Sequence, residues 1–462
     1  MLRVVKTKQG IVEGIPAADP RITAFKSVPF AKPPLGKLRF APPQPPEPWK
    51  GVRQCYKFPP IPVQPSPELN PRPDDVYARE WSVDPDIPVS EDCLYLNIWT
   101  PAKTGKEKLP VYFWIFGGGW QVGHTAEMEF DGERIARRGI VVVTVNYRVN
   151  LFGFTCHPEL TKEYPKTPAN MGLQDQQAGM KWVYENIEAF GGNKDNITIG
   201  GQSAGAGSVL CHIANKESRK YFKRAMVESG LLYIPDFELF PKHSVAESEK
   251  LGVEFFKFCG CKNLAEARKL TTEQLRAKWS EWGGFDKSVA SWAPTYDQQF
   301  NKGHLYDVVK DGKCTPCPIM TGFTTDEFIR NGMSPVEFGI RKLMKEEEAK
   351  GFKLQNYCYK FDVPIPGWDH AGKFHSVDLW FFFETLAKCW RPFTGVHYDV
   401  ARQMCDYLCN FIKTGNPNGY DINGQPLPKW DAFTSKKSNF MEFTTGSIQN
   451  KIPTSKEMKK YL

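Results

Sequence analysis

No apolar run in this 462-residue chain is long enough to cross a bilayer as a helix, which argues against a helical membrane protein. Charge of one sign is also lacking. Sixty Lys and Arg face 52 Asp and Glu, and the net +8 is scattered in mixed runs such as Arg341-Lys-Leu-Met-Lys-Glu-Glu-Glu348. No basic stripe is interleaved with aromatics, so no nucleic-acid partner is expected. Met1–Gly10 has neither the apolar core nor the small-residue cleavage site of a secretion signal. A soluble, cytoplasmic protein with no membrane partner is the expectation. Cysteine is sparse, twelve residues spread along the whole length. Cys314-Thr-Pro-Cys317 has no second pair at zinc-finger distance, and Cys259 and Cys261 are too close for a comfortable bridge. Free, buried thiols are therefore expected rather than a disulfide framework or a zinc site. Internal repeats and linkers are absent too. Length alone suggests about three domains, yet nothing divides the chain, and residues 1–462 read as one domain. Proline crowds residues 41–72, which should run as an extended surface loop.

What is present begins with Phe190-Gly-Gly-Asn-Lys-Asp-Asn-Ile-Thr-Ile-Gly-Gly-Gln-Ser203-Ala-Gly205. It ends in G-x-S-x-G, a tight strand-to-helix turn that holds a serine at its apex. Ile197–Ile199 reads as the strand before it, and Ala204–Leu210 can open the helix after it. Leu109–Phe116 and Ile140–Val145 are continuously apolar, as strands covered on both faces are. Arg224–Glu228 and Pro318–Thr321 are further strand candidates. Met180, Val183, Ile187 and Phe190 recur at helical spacing, as do Val400, Met404, Leu408 and Phe411. Strands alternating with helices predict an α/β protein with a large, mostly parallel sheet flanked by helices. The serine turn would then stand at the carboxyl ends of its strands, where such sheets place ligands.

A serine nucleophile needs a base and donors for the oxyanion. Phe116-Gly117-Gly118-Gly119-Trp120 follows a strand and bares backbone N–H groups; with the N–H of Ala204 it can form an oxyanion hole. Losing one such donor typically costs about 3 kcal/mol of transition-state stabilisation. The α/β-hydrolase order of serine, acid, histidine leaves His243, His304, His370, His375 and His397. His375 is slightly favoured over His370 by its place in a loop entering an aromatic run. Asp326 and Glu327 both follow an apolar strand, and either could orient the imidazole. Trp120, Trp292 and Phe323 are candidate linings of a substrate pocket, with core packing the competing reading.

With these motifs in place the chain resembles the type-B carboxylesterases, the family that includes the cholinesterases. The serine segment fits that family's serine signature. Glu91-Asp-Cys-Leu-Tyr-Leu-Asn-Ile-Trp-Thr-Pro101 fits its second signature. Ser27–Phe40, Asn146-Tyr-Arg148, Asn170–Leu173 with Asp175 and Gln176, and Lys413–Gly419 are also typical. The likeness spans residue 4 to beyond 430 and implies an α/β-hydrolase fold. It selects Glu327 over Asp326, and His375, in G-x-x-H-x-x-D, over His370. It implies a triad of Ser203, His375 and Glu327, an oxyanion hole of Gly118, Gly119 and Ala204, and no metal or organic cofactor. The implied activity is serine carboxylesterase action on small-molecule esters, as monomer or homo-oligomer. A non-catalytic adhesion or scaffold protein, or a lipase or thioesterase of the same fold, is the alternative.

Departures from the family pattern carry information of their own. The family partner of Cys93 would fall within Phe58–Gln64, where no cysteine stands, and Arg268 stands near the position expected to pair with Cys261. Both absences suit a reducing compartment. Gln202 replaces the glutamate that cholinesterases carry before the serine, so a neutral, small-to-medium ester, aromatic ones included, is expected over a choline ester. Phe328 replaces a common glycine. Only 48 residues separate Glu327 from His375, fewer than in larger members. A shortened lid with a more open gorge is expected, with lid-like insertions near 60–90 and 328–370.

Overall fold

The structure is a computed structural model that describes every residue except 67–73, 82–83, 85, 232–242, 285–286, 288–290 and 461. Fourteen strands are formed among the described residues. They are β1 (Val4–Lys6), β2 (Ile11–Glu13), β3 (Ile15–Pro16), β4 (Thr23–Pro29), β5 (Val52–Gln54), β6 (Tyr95–Thr100) and β7 (Leu109–Ile115). After them come β8 (Val141–Val145), β9 (Gly192–Gln202), β10 (Arg224–Glu228), β11 (Ile319–Thr324), β12 (Tyr357–Phe361), β13 (Asn439–Phe443) and β14 (Ser447–Lys451). Strands β1, β2 and β5 make a small separate sheet; the rest form one sheet in the order β14-β13-β12-β11-β10-β9-β7-β8-β6-β4-β3. From β8 to β13 every pairing is parallel, and the antiparallel strands are confined to the two edges. The expected α/β-hydrolase sheet is thus present.

The middle strands are apolar on both faces because helices cover both. In β7, Val111–Ile115 are all buried, and so is every residue of β8. Met180 and Val183 lie on the helix Met171–Asn186, whereas Ile187 and Phe190 fall in the 3-10 turn that follows it; Ala204–Ala214 is the helix after the serine, and Gly395–Thr414 carries Val400, Met404, Leu408 and Phe411 and ends on Gly415 in the left-handed conformation. Residues 41–66 run largely as irregular chain around β5, and the end of the proline-rich segment, 67–72, lies outside the described residues. Part of the 60–90 insertion does as well. The span 328–370 is corrected by the structure: it supplies the helix Pro335–Ala349 and the sheet strand β12. Most of it is therefore an ordinary crossover of the sheet rather than an added lid.

Two of the buried charge pairs join residues of the quoted motifs. Arg148 meets Asp175 at 2.7 Å, both buried, which clamps the Asn146–Arg148 loop to the helix Met171–Asn186. Arg39 meets Glu91 at 2.5 Å and also donates to the carbonyls of Arg268 and Leu270. Removing one member of such a pair strands a buried charge, at about 3–5 kcal/mol. All twelve cysteines are unpaired, as expected.

His212, on the helix after the serine turn, is buried between the Ser218 hydroxyl and the Gln176 carboxamide, each 2.9 Å away. Burial pushes it from 6.5 down to about 3. The unfolded chain therefore takes up a proton below 6.5 that the folded chain refuses until about 3. His212 stabilises the fold above that window, and this contribution is lost as pH falls through it. In denaturant titrations, the stability lead of the native protein over His212→Asn should shrink by about 1.4 kcal/mol for each pH unit below 6.5.

Candidate active site

Three neighbouring strands run side by side to the site, β11 extending two residues beyond the other two. Gln202 of β9 stands opposite Glu228 of β10, which stands opposite Gly322 of β11. The residues just past these ends are Ser203, Ser229 and, after a short turn, Glu327. Ser203 has φ 55 and ψ −124, a strained conformation that caps the helix Ala204–Ala214. Two glycines make this turn possible. A Cβ on Gly201 would lie 2.5 Å from the Gly205 carbonyl carbon, and one on Gly205 would lie 2.2 Å from the Ile115 oxygen. The Ser203 N–H donates to the Glu228 carbonyl at 2.9 Å, tying the turn to the next strand.

Beside Ser203 runs the Gly117–Gly119 loop. Gly118 has φ 101, and a Cβ there would sit 2.3 Å from the Val122 oxygen. A Cβ on Gly117 would come within 3.2 Å of the Ser203 Cβ, so this loop lies directly against the serine. The N–H of Ala204 is the first of its helix and has no partner within it. The positive end of that helix dipole faces the same spot. Backbone donors and the serine hydroxyl thus share one small region.

The structure brings Glu327, not Asp326, to His375. His375 Nδ1 lies 2.5 Å from Glu327 Oε2, and both side chains are buried. Glu327 Oε1 accepts from the Ser229 hydroxyl at 2.9 Å and from the Thr324 N–H at 3.0 Å. Asp326 is exposed and instead accepts from the Lys373 N–H, holding the loop that leads to His375. His370 is exposed. Phe328, with φ 50, lays its ring 4.4 Å from the imidazole. The Ser203 hydroxyl makes no hydrogen bond to His375. On the open side of the ring, Gln202 Nε2 lies 3.3 Å from His375 Nε2.

Of the expected pocket residues, Gln202 lies at the site. The other three, Trp120, Trp292 and Phe323, are buried and pack against neighbouring side chains. Trp120 is buried against Gly207 and donates from Nε1 to Ser208 Oγ at 3.0 Å. Trp292 packs edge-on against Phe255 and Phe323 against Phe440, both inside the core. The aromatic ring against His375 is that of Phe328, while Phe374, the residue before the histidine, packs with Tyr77 and Trp81. Sequence reasoning also missed Ser229, Glu228 and the role of Asp378. Their one signal was position: Glu228-Ser229 ends the strand beside the serine strand. Glu228 is buried with neither carboxyl oxygen bonded, and burial pushes it well above the usual carboxylate range. Asp378 accepts from the Tyr359 hydroxyl at 2.8 Å and is also pushed up, by burial and then by Glu327. Among the described residues no group of His, Cys, Asp or Glu is arranged to hold a metal, and no helix is long and apolar enough to cross a membrane.

A serine on a strained elbow, free amides beside it and a carboxylate-bound histidine opposite form the constellation for acyl transfer. The carboxylesterase family model matches residues 2–350 and 333–460. This chain belongs to the carboxylesterase family. Among curated relatives of this carboxylesterase, an acetylcholinesterase of Bungarus fasciatus is 37% identical over 96% of the chain and 82% of its own length. A cholinesterase of Mus musculus is 29% identical over 96% of the chain and 83% of its own length. A fumonisin B1 esterase of Sphingopyxis macrogoltabida is 39% identical over 57% of the chain and 45% of its own length. The solved structure of the Geobacillus stearothermophilus carboxylesterase EST55 superposes with a TM-score of 0.80 at 28% identity, covering 99% of each chain. The protein is a serine carboxylic ester hydrolase.

Ser229 is the residue whose contribution can be read apart from the chemistry. Its hydroxyl is one of two donors that orient Glu327 from behind. Ser229→Ala should lower kcat by about tenfold, the equivalent of one hydrogen bond to a charged group, with KM within about twofold. Steady-state kinetics on a p-nitrophenyl ester measures both.

Proposed function

We propose that this carboxylesterase hydrolyses neutral, small-to-medium carboxylic esters, aromatic ones included, through an acyl-enzyme formed on Ser203. The Ser203 proton passes to His375 Nε2 as the Oγ electron pair attacks the ester carbonyl carbon. The carbonyl oxygen becomes an oxyanion facing the N–H groups of Gly118, Gly119 and Ala204. Glu327 accepts from Nδ1 and stabilises the imidazolium. When the tetrahedral intermediate collapses, the C–O bond to the alcohol breaks and the proton moves from Nε2 to the leaving oxygen. Water, deprotonated by the same imidazole, then attacks the acyl carbon and frees Ser203.

The observation that carries this reading is the buried 2.5 Å contact between His375 Nδ1 and Glu327 Oε2 at the ends of the strands that present Ser203. Substrate class is supported by what surrounds that pair. Gln202 is neutral where a carboxylate would attract a cationic alcohol. Phe328 puts aromatic surface beside His375. Twelve free thiols favour a reducing compartment as the place of action.

Purified protein should release p-nitrophenol from p-nitrophenyl acetate or butyrate with a burst equal to the enzyme present. Ser203→Ala should lower kcat by more than about 10⁴-fold. Turnover that survives this change would move the nucleophile elsewhere. Neutral butyrate esters should exceed butyrylcholine in kcat/KM; the reverse order would overturn the substrate assignment alone.

A further inference from the structure

Gln202 ends β9, one residue before the proposed nucleophile, and is buried. Its carboxamide Nε2 reaches to 3.3 Å from His375 Nε2. On the other side of the ring, Nδ1 faces the Glu327 carboxylate at 2.5 Å. An ionised carboxylate only accepts, so in the neutral imidazole the hydrogen sits on Nδ1 and the lone pair on Nε2. The Gln202 amide N–H therefore donates to that lone pair. It is the same lone pair that must take the Ser203 proton, and the Ser203 hydroxyl is not bonded to it. The Gln202 side chain is confined: its Oε1 lies 3.1 Å from where a Cβ on Gly117 would stand, and the Gly117 loop closes over it.

We propose that Gln202 is a positioning residue for the base: it occupies the Nε2 lone pair of His375 in the resting enzyme and yields it to Ser203 when an ester enters. The proposal rests on the triad reading above. A donor aimed at the lone pair fixes the Nδ1–H tautomer, the one from which Nε2 can act as base. It also disfavours the protonated ring, which would set N–H against N–H. A carboxylate at this position would do the opposite, accepting from the imidazolium and holding it.

The other groups facing His375 do not duplicate this. Glu327, beyond the end of β11, holds Nδ1. Asp378, three residues further along the chain, is held by Tyr359 and pushed up by burial. Tyr77, packed on Phe374, is a phenol pushed up to about 12 by its surroundings and the Glu327 charge. Phe328 is apolar. Among the described residues, only Gln202 places a hydrogen-bonding group on Nε2.

The test is the pH profile of kcat/KM on p-nitrophenyl acetate for the native enzyme, Gln202→Glu and Gln202→Met, with kcat and KM resolved separately. A fluorophosphonate that labels the active serine counts the competent sites in each preparation. Gln202→Glu should move the acid limb at least about one unit to higher pH, so that kcat/KM below the native limb falls about tenfold. Gln202→Met, similar in size but without a donor, should move it the same way by less, for a loss of about threefold. KM should change by less than about twofold, because the effect acts on the base rather than on ester binding. Acid limbs that superimpose on the native one, in variants labelled one-to-one, would overturn the proposal. Labelling that persists in Ser203→Ala would overturn the triad reading, and this proposal with it.

Discussion

The site depends on one steric constraint, the closeness with which the helix Ala204–Ala214 meets the carboxyl ends of β7 and β9. Gly205 sits where any side chain would collide with the Ile115 oxygen, and Gly201 where one would collide with Gly205. That approach holds Ser203 at φ 55, outside the range that serine normally adopts. The strain is borne by the sheet: the Ser203 N–H is tied to β10, and β9 is paired on both sides. Because the elbow is forced, the hydroxyl stands clear of the helix and the first helical amide is left unpaired. Nucleophile and oxyanion donor are thus two results of one close packing.

Around this elbow the protein keeps the charge simple. Glu327 is the acid whose oxygens are both occupied, by Ser229, Thr324 and His375. Glu228 lies equally deep, but its carboxyl has no hydrogen-bonding partner among the described residues, and its environment favours the neutral carboxyl. Asp378 is shifted in the same direction. A single satisfied carboxylate beside the imidazole stabilises the imidazolium of the reaction without several charges competing for it. The hydrogen-bond partners, rather than the number of acidic residues, decide which carboxyl serves.

Most of what made the family legible turned out to be scaffold. Arg39 and Glu91, and Arg148 and Asp175, are buried ion pairs that pin loops to helices away from the serine. Strands were readable within a few residues because parallel, doubly covered strands must be continuously apolar. The serine elbow was readable because only glycine fits there. Ser229 was not, since a serine after a strand has no pattern of its own; its role exists only because β10 lies between β9 and β11. Trp292 and Phe323 could not be sorted by sequence for a related reason, as large rings suit a core and a pocket equally well.

The chain by itself determined its class, its parallel sheet, the strained serine turn and the glycine loop, because each follows from local sterics or from periodic apolarity. It also limited the acid and the base to short runs of candidates. Tertiary structure alone decided which atoms touch. Glu327 and His375 are 48 residues apart, and Gln202 and His375 are separated by most of the second half of the fold. Their meeting depends on strand order and register, which long-range packing sets and no local sequence records.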